Sequence, residues 1–149
     1  MRPTKILFVL IIIVLMAGCQ NTENLPNTNQ KEDNIPNYNP SSEDIVDMHG
    51  DIENIDRFKK FINNVEAGQK DSIRVIRYTT EGDPVLRNLE YDGEAIISTS
   101  DTRRDKYGKG SINTATCESI EVNETTERTD YLLDDCENII DHTILVIWK

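Results

Sequence analysis

The sequence predicts an α+β domain: an antiparallel sheet of about five to six strands with one amphipathic helix packed on a face. Three observations carry that expectation. One stretch, Asn54 to Ala67, places its apolar residues at three- and four-residue spacing. The chain from Ser72 onward consists of short β-branched runs separated by turn residues. No internal repeat is visible, so the domain is built once rather than stacked.

Taken in order, Ile45-Val46-Asp47-Met48 reads as a short opening strand. The helix that follows carries Ile55, Phe58, Phe61, Ile62 and Val65 on one face. Asn54 is placed to cap it, Asp56 sits in its first turn and Gly68 terminates it. Glu53 with Arg57 and Asp56 with Lys60 have the spacing of supporting ion pairs on the exposed side. Ile73–Thr79 is the next strand, and its pattern changes phase at Val75-Ile76, which predicts a bulge or a strand covered on both faces. Glu81–Pro84 is a turn, after which Val85, Leu89 and Tyr91 alternate with polar residues. Asp92-Gly93 is a tight-hairpin signal, and Ala95–Thr99 completes an antiparallel meander. Beyond the Asp101–Gly110 connection, Thr114–Val122 and Arg128–Asp134 read as a further pair of strands. Thr143–Trp148 is the most apolar strand and is expected at the centre, because an exposed edge of that character invites aggregation.

Two segments of different texture precede the domain. Residues 1–18 carry Arg2 and Lys5 ahead of an apolar run from Ile6 to Ala17, the pattern of a cleaved export signal. That run would extend roughly 18 Å as a helix, short of the ~30 Å of a bilayer core. It ends Met16-Ala17-Gly18-Cys19, small residues before a cysteine, which resembles the bacterial lipobox. The expectation is a diacylglyceryl group on Cys19, whose two chains suffice for stable membrane anchoring. Residues 19–40 then read as a lipidated cysteine and a disordered tether, with seven Asn and three Pro in Gln20–Pro40 and little to bury. The small extracytoplasmic domain is expected over residues 41–149.

The net charge of −11 excludes a nucleic-acid partner, which needs a basic stripe. With Cys19 committed to lipid, Cys117 and Cys136 remain as a pair in an exported domain and are expected to form a disulfide. Asp44, Asp47, Asp51 and Glu53 do not fit a calcium loop and read as a solvated acidic entry to the helix. There are two histidines, His49 and His142, and no G-x-S-x-G or P-loop, so no catalytic residues, no metal and no cofactor are expected. Two loops are candidates for partner contact, set against the plainer reading of the basic one as a solvated hairpin tip. One presents Glu81 and Asp83 at a turn. The other holds Arg103, Arg104, Lys106 and Tyr107, where four cations (with Lys109) against Asp101 and Asp105 give 4 − 2 = +2.

The run Val46–Asp92 resembles the uncharacterised bacterial lipoproteins grouped as domain-of-unknown-function family 4362. The residues that carry the resemblance are His49-Gly50, Asn54, Phe58, Phe61, Val65, Gly68 and Asp71, followed by Ile73-Arg74, Tyr78-Thr79, Glu81-Gly82-Asp83-Pro84 and Leu89-Glu90-Tyr91. The pairing of Cys117 with Cys136 also fits it. The resemblance implies a Gram-positive source and a location on the outer face of the cytoplasmic membrane, and it supplies no activity. The function expected is that of a membrane-anchored binding or interaction module, for an unknown protein or wall polymer, with an inhibitor of an external hydrolase as one version. The rival is a cell-envelope enzyme acting on wall polymers.

Overall fold

Eight strands and one helix succeed one another: β1 Ile45–Met48, β2 Asp51–Glu53, α1 Ile55–Glu66, β3 Asp71–Tyr78, β4 Pro84–Tyr91, β5 Ile96–Asp101, β6 Ile112–Glu124, β7 Arg128–Glu137 and β8 Thr143–Trp148. The structure is a computed structural model that describes Ile35 and residues 38–149. The expected signal, Cys19 and most of the expected tether lie outside the described residues.

All the strands join one sheet in the order β2-β1-β3-β4-β5-β6-β7-β8. This corrects the expected five to six strands with a helix on one face. The protein is mostly β, an eight-stranded sheet curled into a nearly closed barrel, with one short helix. Twist accumulates with each added strand, so a sheet this wide either curls or splits. The two end strands, β2 and β8, share no ladder. They are brought together at the β1–β2 turn, where a Cβ on Gly50 (φ 98°) would stand 3.0 Å from the Trp148 ring. Glycine is therefore required there twice, by backbone and by space.

The expectation for Thr143–Trp148 is overturned in the same way. This strand is terminal in the pairing order and bonds only β7. Curling explains how so apolar a strand can end a sheet: Ile144 and Leu145 are fully buried, and the Arg128 guanidinium lies 5.3 Å from the centre of the Trp148 ring. A second departure is the parallel pairing of β1 with β3, Ile45 opposite Val75 and Asp47 opposite Arg77, in an otherwise antiparallel sheet.

The meander β3–β4–β5 forms as expected, and its register is unbroken from Asp71 opposite Tyr91 to Tyr78 opposite Pro84. Val75-Ile76 is thus not a bulge. Val75 faces the barrel core, while Ile76 and its partner Leu86 are buried on the outward face. That face also carries Arg74, whose Nε and Nη2 donate to the Asp44 carboxylate at 2.8 and 2.6 Å. Asp44 also accepts from Ser41 N–H (2.8 Å) and Tyr38 O–H (3.2 Å). Asp44 is thus buried and paired rather than part of a solvated acidic entry. Burial and the Asp44 carboxylate together push the Tyr38 phenol up to about 12. Tyr38 and Asn39, placed in the tether by composition, are held on the folded unit, which begins at Ile35.

Helix α1 forms where its periodicity predicts. Gly68 (φ 67°) closes it with the paired bonds Gln69 N–H to Asn64 O (2.8 Å) and Gly68 N–H to Val65 O (3.0 Å). Its start differs from expectation. Asn54 precedes the helix in a left-handed conformation, and its side chain makes no cap bond. Instead its amide donates to Ser42 O and Asp44 O, pinning the entry strand to the helix. Arg57 does not pair with Glu53; it forks onto Asp71 at 2.6 and 3.0 Å, fixing the helix to the first residue of β3. Phe58 and Phe61 are fully buried, and Phe58 meets Tyr131 of β7 edge-on at 4.9 Å. Ile62 and Val65 lie beside Tyr91, at the end of β4, and Ile120 of β6. The helix therefore stoppers one end of the barrel, where β3 begins and β4 ends. The other end is left uncovered by it.

Candidate functional site

Inward positions of the sheet follow from strand alternation. On β3 they are Ile73, Val75 and Arg77; on β4, Tyr91, Leu89, Arg87 and Val85; on β5, Ile96, Ser98 and Ser100. The residues at the stoppered end are apolar. Those at the open end are not, and there Arg77, Arg87, Ser100, Asn113 and Asp141 line a cavity of about 230 Å³ together with Val85 and Ile140.

Arg87 is the unusual member, a cation only 5% exposed. Its Nη1 donates to the carbonyl of Thr143 at 2.7 Å, and its Nη2 to Asp141 Oδ2 at 3.2 Å. Arg77 Nη2 donates to the same carboxylate oxygen at 2.5 Å. Two guanidiniums thus share one oxygen. Burial pulls the Arg87 pKa below the ordinary arginine value, and the nearby positive charge of Arg77 adds to that, against the pull of Asp141. For Asp141, burial alone would raise the pKa. The Thr143 N–H (2.9 Å) and the two guanidiniums outweigh it, and the net shift is downward. The mouth carries two cations and one anion, 2 − 1 = +1, in a chain of net charge −11.

Sequence reading missed this site. The signal was present: Arg87 falls in phase between Val85 and Leu89, the alternation used to place the strand. Arg77 likewise continues Ile73 and Val75.

The residues singled out from the sequence have other fates. Cys117 and Cys136 are bonded, S–S 2.05 Å, and stand opposite one another in the β6–β7 register. The two loops meet instead of reaching outward separately. Lys106 N–H donates to Asp83 Oδ2 at 3.0 Å, and its Nζ lies 3.2 Å from Oδ1. Arg103 and Arg104 are both turned onto Asp101, at 2.9 and 2.8 Å. Hydrogen bonding from Arg103, chiefly, holds the Asp101 carboxyl far below the usual carboxylate range. Asp83, which the count of +2 omits, lowers the local surplus to 2 − 1 = +1. Glu81 is exposed at the turn, and Tyr107 is 80% exposed. Among the described residues no group of three or more His, Cys, Asp or Glu side chains is placed to hold a metal ion.

The family model for a domain of unknown function, DUF4362, matches residues 42–132, more than half of the 149-residue chain. The chain belongs to this family. No curated protein and no solved structure matches it. In this DUF4362 chain Arg77, Arg87, Ser100 and Asn113 lie inside the matched span, whereas Asp141 and Cys136 lie beyond it. The family match thus covers the cationic wall of the mouth and not the carboxylate that bridges it.

The ion-paired carboxylates of the DUF4362 domain make its stability sensitive to acid. Asp44, Asp71, Asp101 and Asp141 all have folded pKa values below the ordinary 3.8. Groups of this kind stabilise the fold fully above that value, and the contribution is lost as pH falls through the folded values. The urea midpoint should stay level from about pH 7 to about pH 5 and fall steeply below about pH 4. Asp44→Asn should flatten that acid limb; an unchanged limb in the variant would contradict the role of Asp44.

Proposed function

We propose that this protein is a membrane-anchored extracytoplasmic binding module, held by a diacylglyceryl group on Cys19, which receives its ligand in the open mouth of the barrel. One observation carries the reading. The helix closes one end of the sheet, and the other opens into a cavity where two held guanidiniums, Arg77 and Arg87, converge with the polar side chains of Ser100 and Asn113. Concave sites with a few convergent polar groups at a barrel mouth are where small ligands bind. The two loops turn their charged side chains onto each other, Lys106 onto Asp83, and Arg103 and Arg104 onto Asp101. Anchoring is supported by the sequence at Met16–Cys19 and by the Arg2 and Lys5 cations before the apolar run. Among the described residues no helix is long and apolar enough to cross a membrane.

The anchor is tested by replacing Cys19 with serine in the full chain. The variant should lose incorporation of a palmitate analogue and leave the membrane fraction. Continued membrane retention of Cys19→Ser would count against a lipid anchor. The binding reading is tested by incubating the pure protein with fragments of wall polymer. Turnover of the fragments would favour an envelope enzyme instead.

A further inference from the structure

We propose that the mouth of the barrel binds the carboxylate of a small organic acid between Arg77 and Arg87, beside Asp141. The inference deepens the binding-module reading and rests on it.

Neutralisation at the mouth is incomplete. Two guanidiniums face a single carboxylate, and they share one of its oxygens, Asp141 Oδ2. Thr143 O takes one further donor of Arg87. Most N–H groups of the two arginines are left without a protein acceptor among the described residues. A cation that is only 5% exposed and only partly paired is costly, because the interior screens it poorly. An anion entering the mouth relieves that cost and completes the arginine bonding. The same electrostatic deficit that lowers the stability of the empty site therefore raises its affinity.

The charge count selects the class of anion. The mouth has a surplus of one positive charge, which a monoanion cancels and a phosphate dianion overshoots, the excess facing Asp141. The planar guanidinium fork also matches a planar carboxylate. Ser100 stands directly opposite Arg87 in the β4–β5 register, and its hydroxyl has no protein partner among the described residues. Asn113 Nδ2 is spent on Asn138 O (3.0 Å), which leaves its carbonyl oxygen as an acceptor. These two groups read a hydroxyl or amide on the acid, while Val85 and Ile140 offer apolar contact. A cavity of about 230 Å³ has room for roughly eight waters at ~30 Å³ each, hence for an acid of similar heavy-atom count.

The test is calorimetric titration of the full chain in detergent with sodium lactate, sodium phosphate and sodium chloride at constant ionic strength. Lactate should bind saturably and more tightly than phosphate, and chloride should give no saturable heat. Arg77 is partly exposed, so Arg77→Gln should fold with a near-native melt and weaken lactate binding at least about 10-fold, the loss of one charged hydrogen-bonding partner. Asp141→Asn raises the surplus to +2 and should tip the preference from lactate toward phosphate. No saturable binding of either oxyanion overturns the proposal, as does an Arg77→Gln protein that binds lactate unchanged. Phosphate binding more tightly than lactate in the unaltered protein overturns the monoanion assignment. If the titrations fail while Cys19→Ser still leaves the membrane, the ligand class is lost and the anchored module stands.

Discussion

Phe58→Ala is expected to destabilise the domain by about 3–5 kcal/mol, a large part of the ~5–15 kcal/mol that holds a domain of this size. Phe58 is fully buried and sits edge-on to Tyr131, so truncation removes both transfer energy and an aromatic contact across the barrel interior. The effect should be near the upper end because the site resists collapse. Helix α1 is pinned at its start by the Asn54 amide and by the Arg57–Asp71 fork, and so cannot settle into the space. Urea denaturation measures the loss. Lys59→Ala, on the exposed side of the same helix, provides the control and should change the midpoint little. A loss below about 1 kcal/mol for Phe58→Ala would mean that the helix does not stopper the barrel.

Removing the Cys117–Cys136 bond should cost about 3 kcal/mol in the chain-entropy account, given a sequence separation of 19 residues. The two cysteines are register partners in β6 and β7, so the bond ties a pairing already present in the folded state. Its main action is on the unfolded chain. Two measurements separate that origin from lost packing. Cys117→Ala with Cys136→Ala should lower the midpoint, and reduction of the unaltered protein should lower it by a similar amount. Both should also steepen the urea dependence, because the freed chain exposes more surface. A reduced protein as stable as the oxidised one would contradict this account.

The helix was legible because Phe58, Phe61, Ile62 and Val65 repeat on one face and Gly68 stops them. Strands β3 to β8 were legible through alternation and the Asp92-Gly93 turn. What escaped has physical reasons. Strand β2 is three residues long with Ile52 as its one apolar side chain, too short for any period to register. The parallel β1–β3 pairing joins segments separated by the helix, and no local pattern encodes it. Curvature belongs to the accumulated twist of the whole sheet, so a list of strands does not reveal it. Arg87 went unremarked among the polar residues of its strand, although its phase with Val85 and Leu89 puts it inside. The basic loop was read by its own charges, which omitted Asp83 from another hairpin.

The absence of a ladder between β2 and β8 has a consequence for the wall of the barrel. A closed barrel is a hoop, and its bore is fixed by strand number and shear. This wall is a rolled strip, with its two free edges meeting at contacts such as Gly50 with Trp148. A hoop widens only by breaking backbone bonds along a strand, whereas a strip widens by slackening the roll. No strand pairing therefore holds the two edges of this wall together, and they meet through side-chain packing where Trp148 lies against Gly50.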